Sequence, residues 1–181
     1  MIPTVETSRL RLRAWRESDF EAYAAFRADP EACRHIGVLS RGDAWRAMAF
    51  CAGHWNLLGF GFWSLELKST GENVGYCGPY FPKEWPEPEI GWGIFRPHQG
   101  RGYATEAAAR SLLYAYDVLG WKTAISLVAN SNAASIAVAE RLGAKPEAPY
   151  EYRGETCTIY RHFNHKDFEL HSKEKMKWPL R

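Results

Sequence analysis

The chain has 181 residues, 46% of them apolar and 24% charged, the make-up of a globular domain with a sizeable core rather than a disordered segment. A net charge of +2 leaves no nucleic-acid footprint, and no apolar run is long enough to cross a bilayer or serve as a leader, so a cytoplasmic protein is expected. Cys33, Cys51, Cys77 and Cys157 are widely spaced with no CxxC pair, which points to reduced thiols and away from zinc or a disulfide framework.

Residues 7–15 alternate Leu10 and Leu12 with Arg9, Arg11 and Arg13, the pattern of a half-buried strand. Ser18 and Glu21 have capping-box spacing for a helix carrying Phe20, Tyr23, Ala24 and Phe26, which Asp29-Pro30 stops. Residues 43–58 place Trp45, Met48, Ala49, Ala52 and Trp55 at helical spacing. Strands follow at residues 60–67 and 73–80, then a proline- and aromatic-rich connector over residues 79–88. Next comes a strand with Ile90, Trp92 and Ile94 on one face and Glu89, Gly91 and Gly93 on the other. It breaks at Arg96-Pro97-His98 and re-forms as an alanine-rich helix over residues 103–119. A strand at residues 123–128, a helix opened by Asn130-Ser131-Asn132 and ended by Gly143, and a hairpin of residues 150–152 and 156–163 complete the pattern. The order β-α-α-β-β-β-α-β-α-β-β predicts an α/β (α+β layered) domain, with a mixed, mostly antiparallel sheet of about seven strands flanked by about four helices. Residues 6–163 form the expected domain, and residues 164–181 a polar C-terminal tail that is either a partner-binding extension or a frayed end.

The join between the central strand and its helix reads Gln99-Gly100-Arg101-Gly102-Tyr103-Ala104-Thr105. A strand that feeds a glycine-rich turn and then a helix presents free N–H groups at the positive end of the helix macrodipole, which is a phosphate site. A Walker A loop is excluded because no Gly-Lys pair occurs in the chain. A dinucleotide fingerprint started at Gly100 puts Thr105 where a third glycine or alanine belongs, and lies past mid-chain. The pattern Gln-x-x-Gly-x-Ala, within the string from His98 to Ala107, resembles the acyl-coenzyme A signature of the GNAT superfamily of N-acetyltransferases, most closely its ribosomal-protein branch. A second string, from Asn132 to Ala144, is similar to the GNAT helix beside the pantetheine arm. The resemblance covers roughly residues 6–163 and implies a mixed sheet splayed open at its fourth strand.

The resemblance also implies roles. Gln99, Gly100, Arg101, Gly102, Tyr103, Ala104 and Thr105 would hold the pyrophosphate of acetyl-CoA, and backbone near Trp92, Ile94 and Phe95 would bond the pantetheine and thioester. Asn130 and Asn132 would lie beside the same arm, although Asn132 is equally a plain N-cap. Glu89 is the candidate for taking the amine proton, directly or through water. The tyrosine that many relatives use to protonate the thiolate is replaced by Ala139, which leaves Ser135 as the candidate acid. No sequence-adjacent Cys–His pair suggests a covalent acetyl-enzyme, so direct attack in a ternary complex is expected.

No metal is expected: His162, His165 and His171 lie near a lysine-rich tail and read as solvated. The aromatic residues Trp45, Trp55, Phe62, Trp63, Tyr80, Phe81 and Trp85 either pack the core or line an amine pocket, to which Glu84, Glu87 and Glu89 would lend negative charge. The expected partner is an amine acceptor, a protein N-terminus or a small amine. A homodimer stays open, and neither nucleic acid nor membrane is expected. Two rival readings are a non-catalytic acyl-CoA-binding module on the same fold, kept open by Ala139, and a binder of nucleotide phosphates.

Overall fold

The alternation of Leu10 and Leu12 with arginines does form strand, in a computed structural model that describes residues 1–175. The strand is shorter than expected, and a hairpin precedes it. Strand β1 (Val5–Glu6) pairs antiparallel with β2 (Leu10–Arg13), because Thr7 closes a turn by bonding Leu10 through both its N–H and its hydroxyl. Two helices, α1 (Phe20–Ala28) and α2 (Arg41–Leu58), come next. The Ser18–Glu21 capping box does not form. Asp19 takes the Arg16 N–H instead and is gripped by Arg13, while Glu21 pairs with Arg41. Ser40 caps α2 by accepting the Asp43 N–H at 3.1 Å.

Strands β3 (Trp63–Leu67), β4 (Asn73–Tyr80) and β5 (Glu89–Ile94) continue the antiparallel sheet. Helix α3 (Tyr103–Asp117) crosses over to β6 (Ile125–Ala129), and α4 (Ala133–Arg141) leads to the hairpin of β7 (Lys145–Tyr152) and β8 (Glu155–Arg161). Among the described residues the sheet has eight strands, ordered β1-β2-β3-β4-β5-β6-β8-β7. β7 begins earlier than the sequence suggests. It is an edge strand, the place in a sheet where prolines such as Pro146 and Pro149 are tolerated.

One apolar layer joins α3 to the sheet through Leu10, Leu12, Leu65, Val74, Ile90, Ala107, Ala108 and Leu112. The alanines let the helix axis approach the strands closely. A second layer on the other side packs Phe20, Tyr23, Phe26 and Met48 of α1 and α2 with Phe95. The tail does not fray from its start. Residues His165–Lys175 form helix α5, anchored by the fully buried Phe168 and by the bond of His171 to the Arg141 carbonyl. The Trp178-Pro179 end of that tail lies outside the described residues.

The sheet's one parallel pairing creates the site. β5 and β6 meet at Glu89 and Ile125, where the Ile125 N–H donates to the Pro88 carbonyl, and that is their one register pair. Beyond it the strands diverge, with the Ser126 hydroxyl reaching 2.7 Å to the Ile90 carbonyl across the opening gap. The expected splay is present.

Candidate active site

Where β5 and β6 part, a cavity of about 550 Å³ opens between the two halves of the sheet. It brings together Glu89 and Trp92 of β5, Asn132 and Ser135 at the start of α4, and a set of aromatic rings. Asn132 does cap α4, accepting the Ser135 N–H at 3.1 Å, and so fixes the first helical turn against the cavity. The Ser135 hydroxyl has no partner among the described residues. Ala139 is fully buried beneath it against Val128, Ala144 and Tyr160, so no side chain there reaches the cavity.

Glu89 is the most perturbed acid on the cavity wall. Its carboxylate is buried, accepts the Trp85 indole N–H at 2.6 Å, and accepts the Leu127 N–H at 3.2 Å. Removal from water raises the carboxyl to about 7, against the two donors, which favour the charged form. Leu127 N–H is available because β6 has already turned away from β5, so the splay that opens the cavity also supplies the acid's partner. Glu84 and Glu87 do not join it. Glu84 is exposed, and Glu87 is clamped by Arg161 outside the cavity.

The phosphate-type turn is built as the sequence predicts. Gly100 and Gly102 take φ of +74° and +81°, left-handed values that glycine adopts without strain. The first helical bond of α3 runs from Glu106 N–H to Gly102 O, which leaves the N–H groups from Gly100 to Thr105 without acceptors among the described residues. That row of donors at a helix N-terminus fits a pyrophosphate. Gln99 contributes differently from the expectation. Its amide donates to the Ile94 carbonyl at 2.9 Å, which ties the turn to the end of β5. Ile94 is thereby engaged, Phe95 gives its N–H to Val74 and its ring to Phe26, and Asn130 is bonded to Thr156 and Thr158. Neither these three nor residues 99–105 line the cavity.

Glu106 was not singled out from the sequence, yet it secures the turn. Fully buried, it accepts from the Thr7 hydroxyl at 2.6 Å, the Arg9 N–H at 2.8 Å and Arg9 Nε at 2.7 Å. Arg9 also donates to the Arg101 carbonyl and lies over the Tyr103 ring. The turn is held by residues almost a hundred positions away, which no local pattern reports.

Other expectations divide. Of the aromatic set, Phe62, Tyr80 and Trp85 line the cavity, Trp55 and Trp63 pack the core, and Trp45 and Phe81 stay exposed. His162 is not solvated. It is buried beside β6 with Nε2 at 2.9 Å from the Ser126 hydroxyl, and desolvation lowers it to about 3. Since Ser126 donates to Ile90, Nε2 of His162 carries the proton. His165 pairs with Asp117. Among the described residues no group of three or more His, Cys, Asp or Glu side chains is placed to hold a metal, and all four cysteines are free and buried. No described helix is long and apolar enough to cross a membrane.

A strand–turn–helix anion cradle, a sheet split at one parallel pairing and a buried carboxylate in the split define an acyl-transfer fold. Residues 9–145 match the family profile described as Acetyltransferase (GNAT) domain. The chain belongs to the GNAT acetyltransferase family. It is 32% identical over 145 residues to the uncharacterised Bacillus subtilis protein YkkB, covering 76% of this chain and 82% of that protein. It is 28% identical over 152 residues to the uncharacterised Bacillus subtilis N-acetyltransferase YoaA, covering 81% and 85%. Among solved structures, an acetyltransferase from Agrobacterium tumefaciens superposes with a TM-score of 0.83 at 35% identity, covering 91% of this chain and 96% of that one.

Proposed function

We propose that this chain transfers an acetyl group from acetyl-CoA to a primary amine, a protein N-terminal amine or a small amine, by direct attack in a ternary complex. Acetyl-CoA supplies an activated thioester. The turn from Gly100 to Thr105 would hold its pyrophosphate, and the free edge of β5 at Trp92 with the α4 turn at Asn132 would flank its arm. The observation that carries the reading is Glu89: a carboxyl raised to about 7, facing the same cavity as Ser135 at the point where the sheet opens. At that value it is ionised in a large fraction of molecules near neutral pH and accepts a proton from an incoming ammonium, leaving the amine lone pair free. Ser135, on the same cavity wall, would return a proton to the departing sulfur.

Direct attack is favoured over an acetyl-enzyme because the two cysteines on the cavity wall are poor nucleophiles. Burial pushes the Cys51 thiol up to about 12 and also raises Cys157, so neither is a thiolate near neutrality. Buried Ala139 supports one second reading, an acyl-CoA-binding module that does not turn over.

Thermal unfolding with acetyl-CoA, ATP and NAD tests the donor. Acetyl-CoA at about 100 times its Kd should stabilise by roughly 2.7 kcal/mol, a rise of about 5–10 °C for a chain this size, with no rise from the other two. Gly102→Glu, which sets a negative side chain at a left-handed position in the cradle, should abolish the rise. Equal shifts with ATP would discard the acetyl-CoA assignment. Release of CoA in the presence of an amine then separates the enzyme from the silent binder.

A further inference from the structure

The cavity has a second charged group that acetyl transfer as described does not use. Arg27, on α1, lines the cavity, and among the described residues no carboxylate lies within ion-pair distance of it. Its Nη1 reaches the neutral Tyr23 hydroxyl at 3.3 Å, its Nη2 donates to the Gly37 carbonyl at 3.0 Å, and its buried Nε has no acceptor. A guanidinium drawn partly out of water without an anion is costly unless something answers its charge. Of the other charged groups on the cavity wall, Asp43 holds Arg46 and Ser40 and His35 meets Glu155, while Arg153 is exposed to water over the Tyr152 ring. Among the described residues Arg27, less exposed, has only the Tyr23 ring, 6.0 Å from its guanidinium carbon, for a similar contact.

Arg27 and Glu89 stand at opposite ends of one aromatic wall. From Arg27 the rings run Tyr23, Tyr76, Phe62, Tyr80 and Trp85, with successive centroids 6.0, 5.2, 4.9 and 5.1 Å apart, and Trp85 bonds Glu89. The same wall covers the inner face of β5. Phe62 lies against Gly91 and the Tyr76 hydroxyl against Gly93, where any Cβ would collide with them. Glu89 to Gly93 is four residues of strand, roughly 13 Å at about 3.3 Å per residue.

We propose that Arg27 makes the acceptor site selective for an amine that also carries an anion, a carboxylate held across an apolar body from the reacting nitrogen. The amine meets Glu89, the body lies along the rings, and the carboxylate completes Arg27. An extended tripeptide, about 10 Å from its amine to its free carboxylate, carries both charges with an apolar side chain between them. An acidic side chain near a polypeptide N-terminus presents the same chemistry. This rests on the amine entering against Glu89, as proposed above.

The test compares Ala-Phe-Ala as the free acid and as the amide, with amidated Ala-Phe-Glu as a third acceptor, in wild type, Arg27→Gln and Arg27→Lys. Wild type should show a kcat/KM for the free acid at least tenfold above that for the amide, carried mainly in KM. Arg27→Gln should bring the acid-to-amide ratio close to one, and Arg27→Lys should retain part of it. If amidated Ala-Phe-Glu matches the free acid, the anion is read on a side chain, as at a polypeptide N-terminus. If it behaves as the amide, the terminal carboxylate is the feature read, as in a short peptide. A ratio near one in wild type, or a ratio that survives in Arg27→Gln, overturns the proposal while leaving acetyl transfer standing. If no acceptor turns over, calorimetric binding of acid and amide to the CoA-loaded protein decides. Acid-selective binding that Arg27→Gln removes upholds the Arg27 site and counts against acetyl transfer, and equal binding overturns the Arg27 site.

Discussion

A carboxyl near 7 is useful to an amine acetyltransferase because it is the strongest base a glutamate can offer while still ionised at working pH. Glu89 reaches that value through two opposed effects, burial raising it and the Leu127 and Trp85 donors lowering it. The balance makes the pH profile testable. Activity should rise with pH along one limb centred near 7, and Glu89→Gln should remove the limb and lower kcat by about 100-fold. Trp85→Phe removes the 2.6 Å donor to the carboxylate but keeps most of the ring, so the limb should move to higher pH. A limb unmoved by either substitution would take the base role away from Glu89. Ser135 is the weaker of the two candidates. Its hydroxyl is open to the cavity without a partner among the described residues, so Ser135→Ala should lower kcat by no more than about tenfold, with KM for the donor little changed.

The element proposed to hold the acetyl donor is the start of α3, and its geometry depends on residues near the opposite end of the sequence. Gly100 and Gly102 permit the turn, but Glu106 and Arg9 hold it in place. Glu106→Ala would remove the buried carboxylate to which the Thr7 hydroxyl and the Arg9 N–H and Nε donate. Because Arg9 is 40% exposed, water answers part of its charge, so the cost should fall near the low end for a broken buried pair, about 2–3 kcal/mol. That corresponds to a melting point lower by roughly 5–10 °C. Acetyl-CoA affinity should fall as well, because the freed turn no longer presents its N–H groups in a fixed row. A variant that melts normally and binds normally would show the cluster to be decoration. The same contrast explains what the sequence made legible. The turn, the Asn132 cap of α4 and the face pattern of β5 are local, set by residues within a few positions of one another. Arg9–Glu106 and the wall linking Arg27 to Glu89 are not, and neither is the docking of α5, whose polar sequence hides the single buried Phe168.

At the scale of the whole molecule, the split between β5 and β6 is flanked by two ionisable groups whose charged forms the fold disfavours. Glu89 bonds the Leu127 N–H on one side, and His162 holds the Ser126 hydroxyl, which in turn bridges to Ile90. Both are buried, and both resist their charged forms in the fold, but they do so with opposite sign. Glu89 is raised from 4.5 to about 7, so its contribution to stability is complete below 4.5 and is lost as pH rises toward 7. His162 is lowered from 6.5 to about 3, so its contribution is complete above 6.5 and is lost as pH falls toward 3. Between pH 4.5 and 6.5 the folded chain holds one proton more than the unfolded chain at Glu89 and one fewer at His162, and the two slopes cancel. Asp19 and Glu66, which are lowered by their arginine partners, act only below that window. Wild type should therefore show a flat melting point from pH 4.5 to 6.5. Glu89→Gln should uncover the histidine, with stability rising about 1.4 kcal/mol per pH unit, or about 3–5 °C. His162→Gln, whose amide can still donate to Ser126, should uncover the glutamate and fall with pH at the same rate. Melting curves of the three proteins in matched ionic strength decide it. Parallel flat profiles would mean that water reaches both groups and that the junction where the sheet opens is wet. Mirror-image slopes would mean that it is dry, which is the condition Glu89 needs to act as a base near neutral pH.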